Sequence, residues 1–166
     1  MLIDGNNMIE LLSLPEWDDR VLDMLEEFGE ERPKVIDGNT TIFITRKDYG
    51  FEMMFDEVVS TKKQIEMEGQ GNLYLNQIVL KRETKIKLPF DINVNDNYKT
   101  IAKKIGKKAN YKNKHRDEKL HWLLDDGEKK YFIGIDFENN SYEKIYKISM
   151  TLYKDTINYR GLIPLD

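Results

Sequence analysis

The order of apolar spacings in the first half of this chain returns in the second, and that recurrence narrows the folds open to it more than any other feature. After a short apolar run from Met8 to Leu12, Pro15-Glu16-Trp17-Asp18-Asp19 opens a helix with proline and acids where a helix start favours them. Val21, Met24, Leu25 and Phe28 then recur at three- and four-residue spacing, with Asp19, Asp23, Glu26, Glu27 and Glu30 filling the remaining positions, until Gly29 and Pro33 stop the helix. Strand-like alternation runs from Thr40 to Thr45, the polar turn Lys47-Asp48-Tyr49-Gly50 reverses the chain, and Phe51 to Phe55 completes a hairpin. A polar stretch from Ser60 to Asn72 leads to a third strand, Leu73 to Arg82.

In the second half Leu88-Pro89 stands where Leu14-Pro15 stood. A helix from about Asp96 to Ile105 carries Tyr98, Ile101, Ala102 and Ile105 at the matching spacing, and Gly106 ends it. After a basic connector, Leu120 to Leu124, the turn Asp125-Asp126-Gly127 and Lys130 to Phe137 make a second hairpin, and Ile145-Tyr146, Met150 and Leu152 belong to a final strand. The expected fold is α+β: a tandem repeat of helix plus three-stranded antiparallel sheet, with the helices packed on one sheet face. The units cover about 8–82 and 86–154 of a single domain spanning 1–166. Phe51, Phe55, Phe132 and Phe137 are expected in its core. The opposite face and the hairpin tips stay open.

A length of 166 residues is enough to bury a core without covalent staples. The chain has no cysteine, which excludes disulfides, thiolate catalysis, zinc fingers and iron–sulfur clusters together. No basic-then-apolar leader opens the sequence and no stretch approaches about 20 apolar residues, so a cytoplasmic protein is expected. The net charge of −4 hides a split: residues 1–68 hold 17 acids against 7 bases, and residues 69–166 hold 13 against 19. Such asymmetry suits an electrostatically directed contact, because complementary fields speed association and discourage wrong partners.

Catalytic chemistry finds little footing. The two histidines, His115 and His121, lie in the lysine-rich connector and in a strand, without the neighbours of a nucleophile or metalloprotease motif. Asp125-Asp126-Gly127-Glu128 and Asp4-Gly5-Asn6-Asn7 are too short for a calcium loop and read as turns. Neither glycine-rich phosphate motif occurs. No catalytic residue, metal ligand or cofactor is therefore expected. Two alternatives stay open. One is a small acid-dependent hydrolase using Asp125, Asp126 and Asp136. The other is a nucleic-acid-binding module using the basic 99–116 segment, where Lys99, Lys103, Lys104, Lys107, Lys108, Lys112, Lys114 and Arg116 surround Tyr111.

The stretch Leu88-Pro89-Phe90 through Tyr98, Ile101 and Ile105-Gly106, with the Trp122 strand, the Asp125-Asp126-Gly127 turn and Tyr131 to Phe137, resembles small bacterial immunity proteins. These guard against contact-dependent growth inhibition and other polymorphic toxins, and the hairpin Asp48-Tyr49-Gly50-Phe51 to Phe55 also looks like theirs. The helix-plus-sheet plan is similar to that of the β-lactamase inhibitor protein. The resemblance implies a non-enzymatic protein that binds a cognate toxin C-terminal domain and covers its active site. If that toxin is a basic nuclease, the acidic N-terminal half would face it through Asp18, Asp19, Asp23, Glu26, Glu27 and Glu30, extended by Asp56 and Glu57 at the end of the first hairpin. The hairpin tips offer a second set: Tyr49 as an aromatic anchor, with Asp125 and Asp126 answering a toxin cation from the equivalent turn.

Overall fold

The computed structural model describes residues 3–34, 41–57, 73–154 and 161–166. In chain order it contains helices α1 (Gly5–Leu11) and α2 (Asp19–Glu27), strands β1 (Thr41–Arg46), β2 (Phe51–Asp56) and β3 (Tyr74–Lys81), and a 3-10 turn at Pro89–Asp91. Helix α3 (Tyr98–Ile105) follows, and then strands β4 (Tyr111–Asn113), β5 (Lys119–Asp125), β6 (Lys130–Phe137), β7 (Ile145–Leu152) and β8 (Leu162–Pro164). The polar stretch from Ser60 to Asn72 lies outside the described residues.

All eight strands join one antiparallel sheet in the order β1-β2-β3-β7-β6-β5-β4-β8. The expected tandem repeat of helix plus three-stranded sheet is thereby corrected. Strand β3 pairs with β7 from Gln77↔Thr151 to Lys81↔Lys147, so the two halves share a single ladder. Separate small sheets would each leave a row of main-chain donors and acceptors unpaired at that edge, and the β3–β7 ladder satisfies them. The basic connector also supplies β4, which pairs with β5 on one side and β8 on the other. The proline pairs are not equivalent either, since Pro15 forms a bridge to Tyr74 whereas Pro89 opens the 3-10 turn.

Among the described residues three short helices accompany the sheet, each started by a side chain that caps free backbone N–H groups. Asp4 accepts from Asn7 N in a capping box, Asp18 from Arg20 N, and Asn97 from Thr100 N. With Asp18 as cap, α2 begins at Asp19 rather than at Pro15. Gly106 closes α3 in the left-handed conformation at φ 97°. Among the described residues no helix is long and apolar enough to cross a membrane.

Strand register divides the sheet into two unlike faces. The inner face presents Phe51, Met53, Ile78, Leu80, Ile148, Met150, Ile133, Ile135, Leu120 and Trp122, all buried. Val21, Met24 and Leu25 from α2, Met8 from α1 and Ile101 from α3 complete the same core. Trp122 is fully buried and its indole donates to Lys107 O at 2.9 Å, so the largest core side chain keeps its polar atom satisfied. Phe51, Phe55 and Phe137 join this core as expected, but Phe132 does not. It alternates with Ile133 and falls on the opposite face, an odd number of residues from Phe137.

The hairpin tips emerge at opposite ends of the sheet. Arg46↔Phe51 closes the first hairpin in line with Leu80 and Ile148, whereas Asp125↔Lys130 closes the second beside Tyr131↔Leu152. Antiparallel pairing of β3 with β7 imposes this reversal. The first tip is clamped: Thr84 Oγ1 and Lys85 N both donate to Tyr49 O, at 2.8 and 3.1 Å. A Cβ at Gly50 would approach Thr84 Cα to 2.7 Å, so only glycine admits that contact.

Candidate functional site

Helix α2 turns its apolar side to the core and its acids to solvent. Val21, Met24 and Leu25 are buried, while Asp19, Asp23, Glu26 and Glu27 are exposed. Asp18 is engaged by Arg20, whose Nε lies 3.1 Å from its Oδ1. Arg20 also feels the charge of Glu128, which places the start of α2 near the second hairpin tip. At its other end, Arg46 of the first hairpin donates to Phe28 O and lies 3.1 Å from Glu30 and 2.7 Å from Asp48. That guanidinium pulls the Asp48 carboxyl down to about 2. Helix α2 therefore runs from one hairpin tip to the other. Its exposed acids join Asp125, Asp126 and Glu128 at one end to Glu30 and Asp48 at the other.

The remaining expected residues divide. Tyr49 is half-buried, not a free anchor: its ring meets Phe28 at 5.1 Å and Phe51 at 6.3 Å, with Arg46 and Lys85 over its faces. Tyr49 and Asp126 belong to tips at opposite ends of the sheet, so they are not neighbouring halves of one grip. Asp56 is buried and pairs with Lys154 Nζ at 2.8 Å, with Asn76 donating to its other oxygen. It is an internal ion pair rather than part of an acidic surface. Glu57 follows it, half-buried. Asp125 and Asp126 are exposed but occupied in their turn, where Asp125 accepts from Gly127 N and Asp126 from the N–H groups of Glu128 and Lys129.

The sheet's outer face carries a second cluster that sequence reading passed over. In the β5–β6–β7 ladder one row places His121 beside Gly134 and Ser149. The next row places Lys119 beside Asp136 and Lys147. A Cβ at Gly134 would meet Ser149 Oγ at 2.5 Å and His121 Nδ1 at 3.2 Å, so the absent side chain lets those two groups converge. A cavity of about 300 Å3 opens there, with Gln77, Ser149 and Thr151 beside it and Phe132 and Leu162 forming apolar walls. Phe132 stays buried on this face because His121, Tyr111 and Tyr153 surround it at 6.1, 6.0 and 5.9 Å.

Asp136 is 1% exposed and held by Arg116 at 2.9 Å, Lys119 at 3.7 Å and Lys147 at 3.8 Å. Burial lowers the Lys119 ammonium against the pull of Asp136. Burial, with the nearby Lys119 charge, pushes His121 down to about 4, and the imidazole is neutral at pH 7. Its Nε2 is buried without a hydrogen-bond partner among the described residues. The signal for this cluster was parity: residues 119 and 121, 132, 134 and 136, and 147, 149 and 151 share one face of three neighbouring strands. A glycine inside the Tyr131–Phe137 run was a second sign.

The two alternative chemistries fare differently. Asp125 and Asp126 sit at one end of the β5–β6 hairpin and Asp136 near the other, about 20 Å along the strand, so the three acids do not meet at one bond. Much of the basic segment is engaged within the fold. Lys104 holds Asp96 at 2.7 Å, Lys107 donates to Leu123 O at 2.6 Å, Lys112 pairs with Asp117 at 2.8 Å, and Arg116 with Asp136. Lys99, Lys103, Lys108 and Lys114 remain exposed. Among the described residues no group of three His, Asp or Glu side chains is placed to hold a metal ion. The chain matches no protein-family model, no curated protein and no solved structure.

Proposed function

We propose that the chain is an immunity protein, a non-enzymatic inhibitor that binds a cognate basic toxin domain, a nuclease, and occludes its active site. The observation that carries this reading is α2: a helix seated on the core by Val21, Met24 and Leu25, presenting Asp19, Asp23, Glu26 and Glu27 to solvent between two acid-bearing hairpin tips. A nuclease gathers cations where it holds phosphates, and a rigid acidic surface meets those cations without first ordering a loop. Helix α2 is capped by Asp18 and anchored at its exit by Arg46 on Phe28 O, so its carboxylates are presented on a fixed frame.

The decisive measurement is co-elution with the toxin domain encoded immediately upstream of the gene, followed by association kinetics. Asp19→Asn, Asp23→Asn, Glu26→Gln and Glu27→Gln combined should slow association tenfold or so at low salt and flatten its salt dependence, because steering of this kind is worth about 10–1,000-fold. The fold should be intact, since all four side chains face water. Unchanged kinetics in the folded variant, or no complex with that domain, would refute the proposal.

A further inference from the structure

The outer face of the sheet, opposite the layer that carries α2, holds groups that the acidic-surface reading leaves unused. In the middle of an antiparallel sheet, Gly134 removes a side chain where His121 and Ser149 would otherwise be kept apart, and a cavity of about 300 Å3 results. That volume is the share of about ten water molecules, at the small end of ligand sites. Its boundary is chemically mixed. Phe132 and Leu162 are flat or branched hydrocarbon, and Lys119 also lines the cavity, its ammonium 3.7 Å from Asp136. Thr151 Oγ1 accepts from Gln77 Nε2 at 3.0 Å, which leaves the threonine proton and the glutamine carbonyl for another partner. Ser149 Oγ makes only a long 3.4 Å bond to Gly134 O. His121 Nε2 is buried and without a hydrogen-bond partner among the described residues, so none of them repays its desolvation.

Charge narrows the ligand class. Arg116, Lys119 and Lys147 converge on Asp136, and Arg116 also holds Glu118 at 3.1 Å, so three cations meet two carboxylates and one positive charge is left over. A monoanion neutralises that excess, whereas a dianion would face the Asp136 carboxylate with a charge to spare. The apolar walls call for a flat hydrocarbon body on the same molecule, stacked or edge-on against Phe132. We propose that this cavity binds a small carboxylic acid carried on a flat ring, its carboxylate toward Lys119 and its ring between Phe132 and Leu162. Thr151 and Ser149 hydroxyls then hydrogen-bond the carboxylate. The site is independent of the toxin-binding reading, because it lies on the other face and shares no residue with α2.

The test uses the full chain, isotope-labelled, near pH 7, with benzoate as probe and benzyl alcohol and inorganic phosphate as comparisons. Benzoate should shift the His121 ring and the Gly134 amide saturably, with a dissociation constant on the order of 1 mM, as suits so small a molecule. Benzyl alcohol and phosphate should each bind at least tenfold more weakly. Lys119→Met should weaken benzoate at least tenfold and leave benzyl alcohol unchanged. Should that variant fail to fold, Thr151→Val, close to it in shape, should weaken benzoate severalfold through its lost hydroxyl. Non-saturating shifts, equal binding of benzoate and benzyl alcohol, tighter binding of phosphate, or an unchanged constant in a folded variant would overturn the assignment.

Discussion

Acidification from about pH 7 to about pH 4 should destabilise this protein chiefly through one side chain, His121. Burial against Phe132 and Gly134, with the Lys119 charge as the second cause, holds the native imidazole at about 4 against a reference of 6.5. The unfolded chain therefore takes up the proton first as the pH falls. Between 6.5 and 4 the unfolded state binds one more proton than the native state, so stability is complete above that window, declines as pH falls through it and levels off below. The gap between 6.5 and 4, at about 1.4 kcal/mol per unit, makes the loss about 3 kcal/mol. That is a large part of the roughly 5–15 kcal/mol that holds a domain folded. Urea unfolding across the range, for the wild type and for His121→Gln, isolates the contribution. Asp48, whose native carboxyl sits near 2, adds stability that is lost only as pH falls from 3.8 toward that value, and it is common to both proteins. The wild type should lose about 3 kcal/mol more than the variant, and the His121 ring should titrate near 4 by NMR. Parallel stability curves, or a ring midpoint near 6.5, would refute the argument.

Two further outcomes follow from the interior. Lys154→Met strips the cation from a pair in which both side chains are under 10% exposed, and should cost about 3–5 kcal/mol by thermal or urea unfolding; Asp56→Asn combined with Lys154→Met should recover a good part of it, and additive losses would show that the pair is not coupled. Trp122→Phe removes buried volume together with the donor to Lys107 O, and should cost about 2–4 kcal/mol in the same assay; a change under about 0.5 kcal/mol would show that neither the cavity nor the carbonyl matters.

Local structure was legible because it is written in short-range terms. Alternation placed β2, β3, β5, β6 and β7, and three- and four-residue spacing with terminal glycines placed α2 and α3. Joining the elements was not legible. Register depends on which edge meets which, and nothing in Gln77–Lys81 announces Lys147–Thr151 as its neighbour. Three-residue strands such as β4 and β8 carry too few side chains to show a period, so the basic connector hid a sheet strand. The acids of α2 were found as a surface because helical periodicity decides exposure within one element. Asp56 was misplaced for the converse reason, since its partner Lys154 lies 98 residues away and no local pattern connects them. The cluster of His121, Gly134 and Ser149 was missed on the same grounds: Gly134 marks its own strand, but only cross-strand register makes the three residues neighbours.

Part of the charge split along the chain becomes, in three dimensions, a split between faces, while α3 keeps Lys99 and Lys103 on the helical side. The N-terminal acids lie on α2, over the helical side of the core, while Arg116, Lys119 and Lys147 from the C-terminal half gather on the open side of the same sheet around Asp136. The sheet keeps them apart: its inner face is apolar from β2 to β5 and the helices pack on that face, so the two sets of exposed charge lie on opposite sides of the core. The two sets therefore act as separate fields. An acidic surface with its counter-charges on the far side is not neutralised by them, so a basic partner meeting α2 feels the local excess rather than the overall −4. The same separation lets the outer cavity keep its surplus cation beside a chain that is acidic as a whole. It also makes the two proposals separable in practice, because neutralising Asp19, Asp23, Glu26 and Glu27 should leave benzoate binding unchanged, and Lys119→Met should leave partner association unchanged.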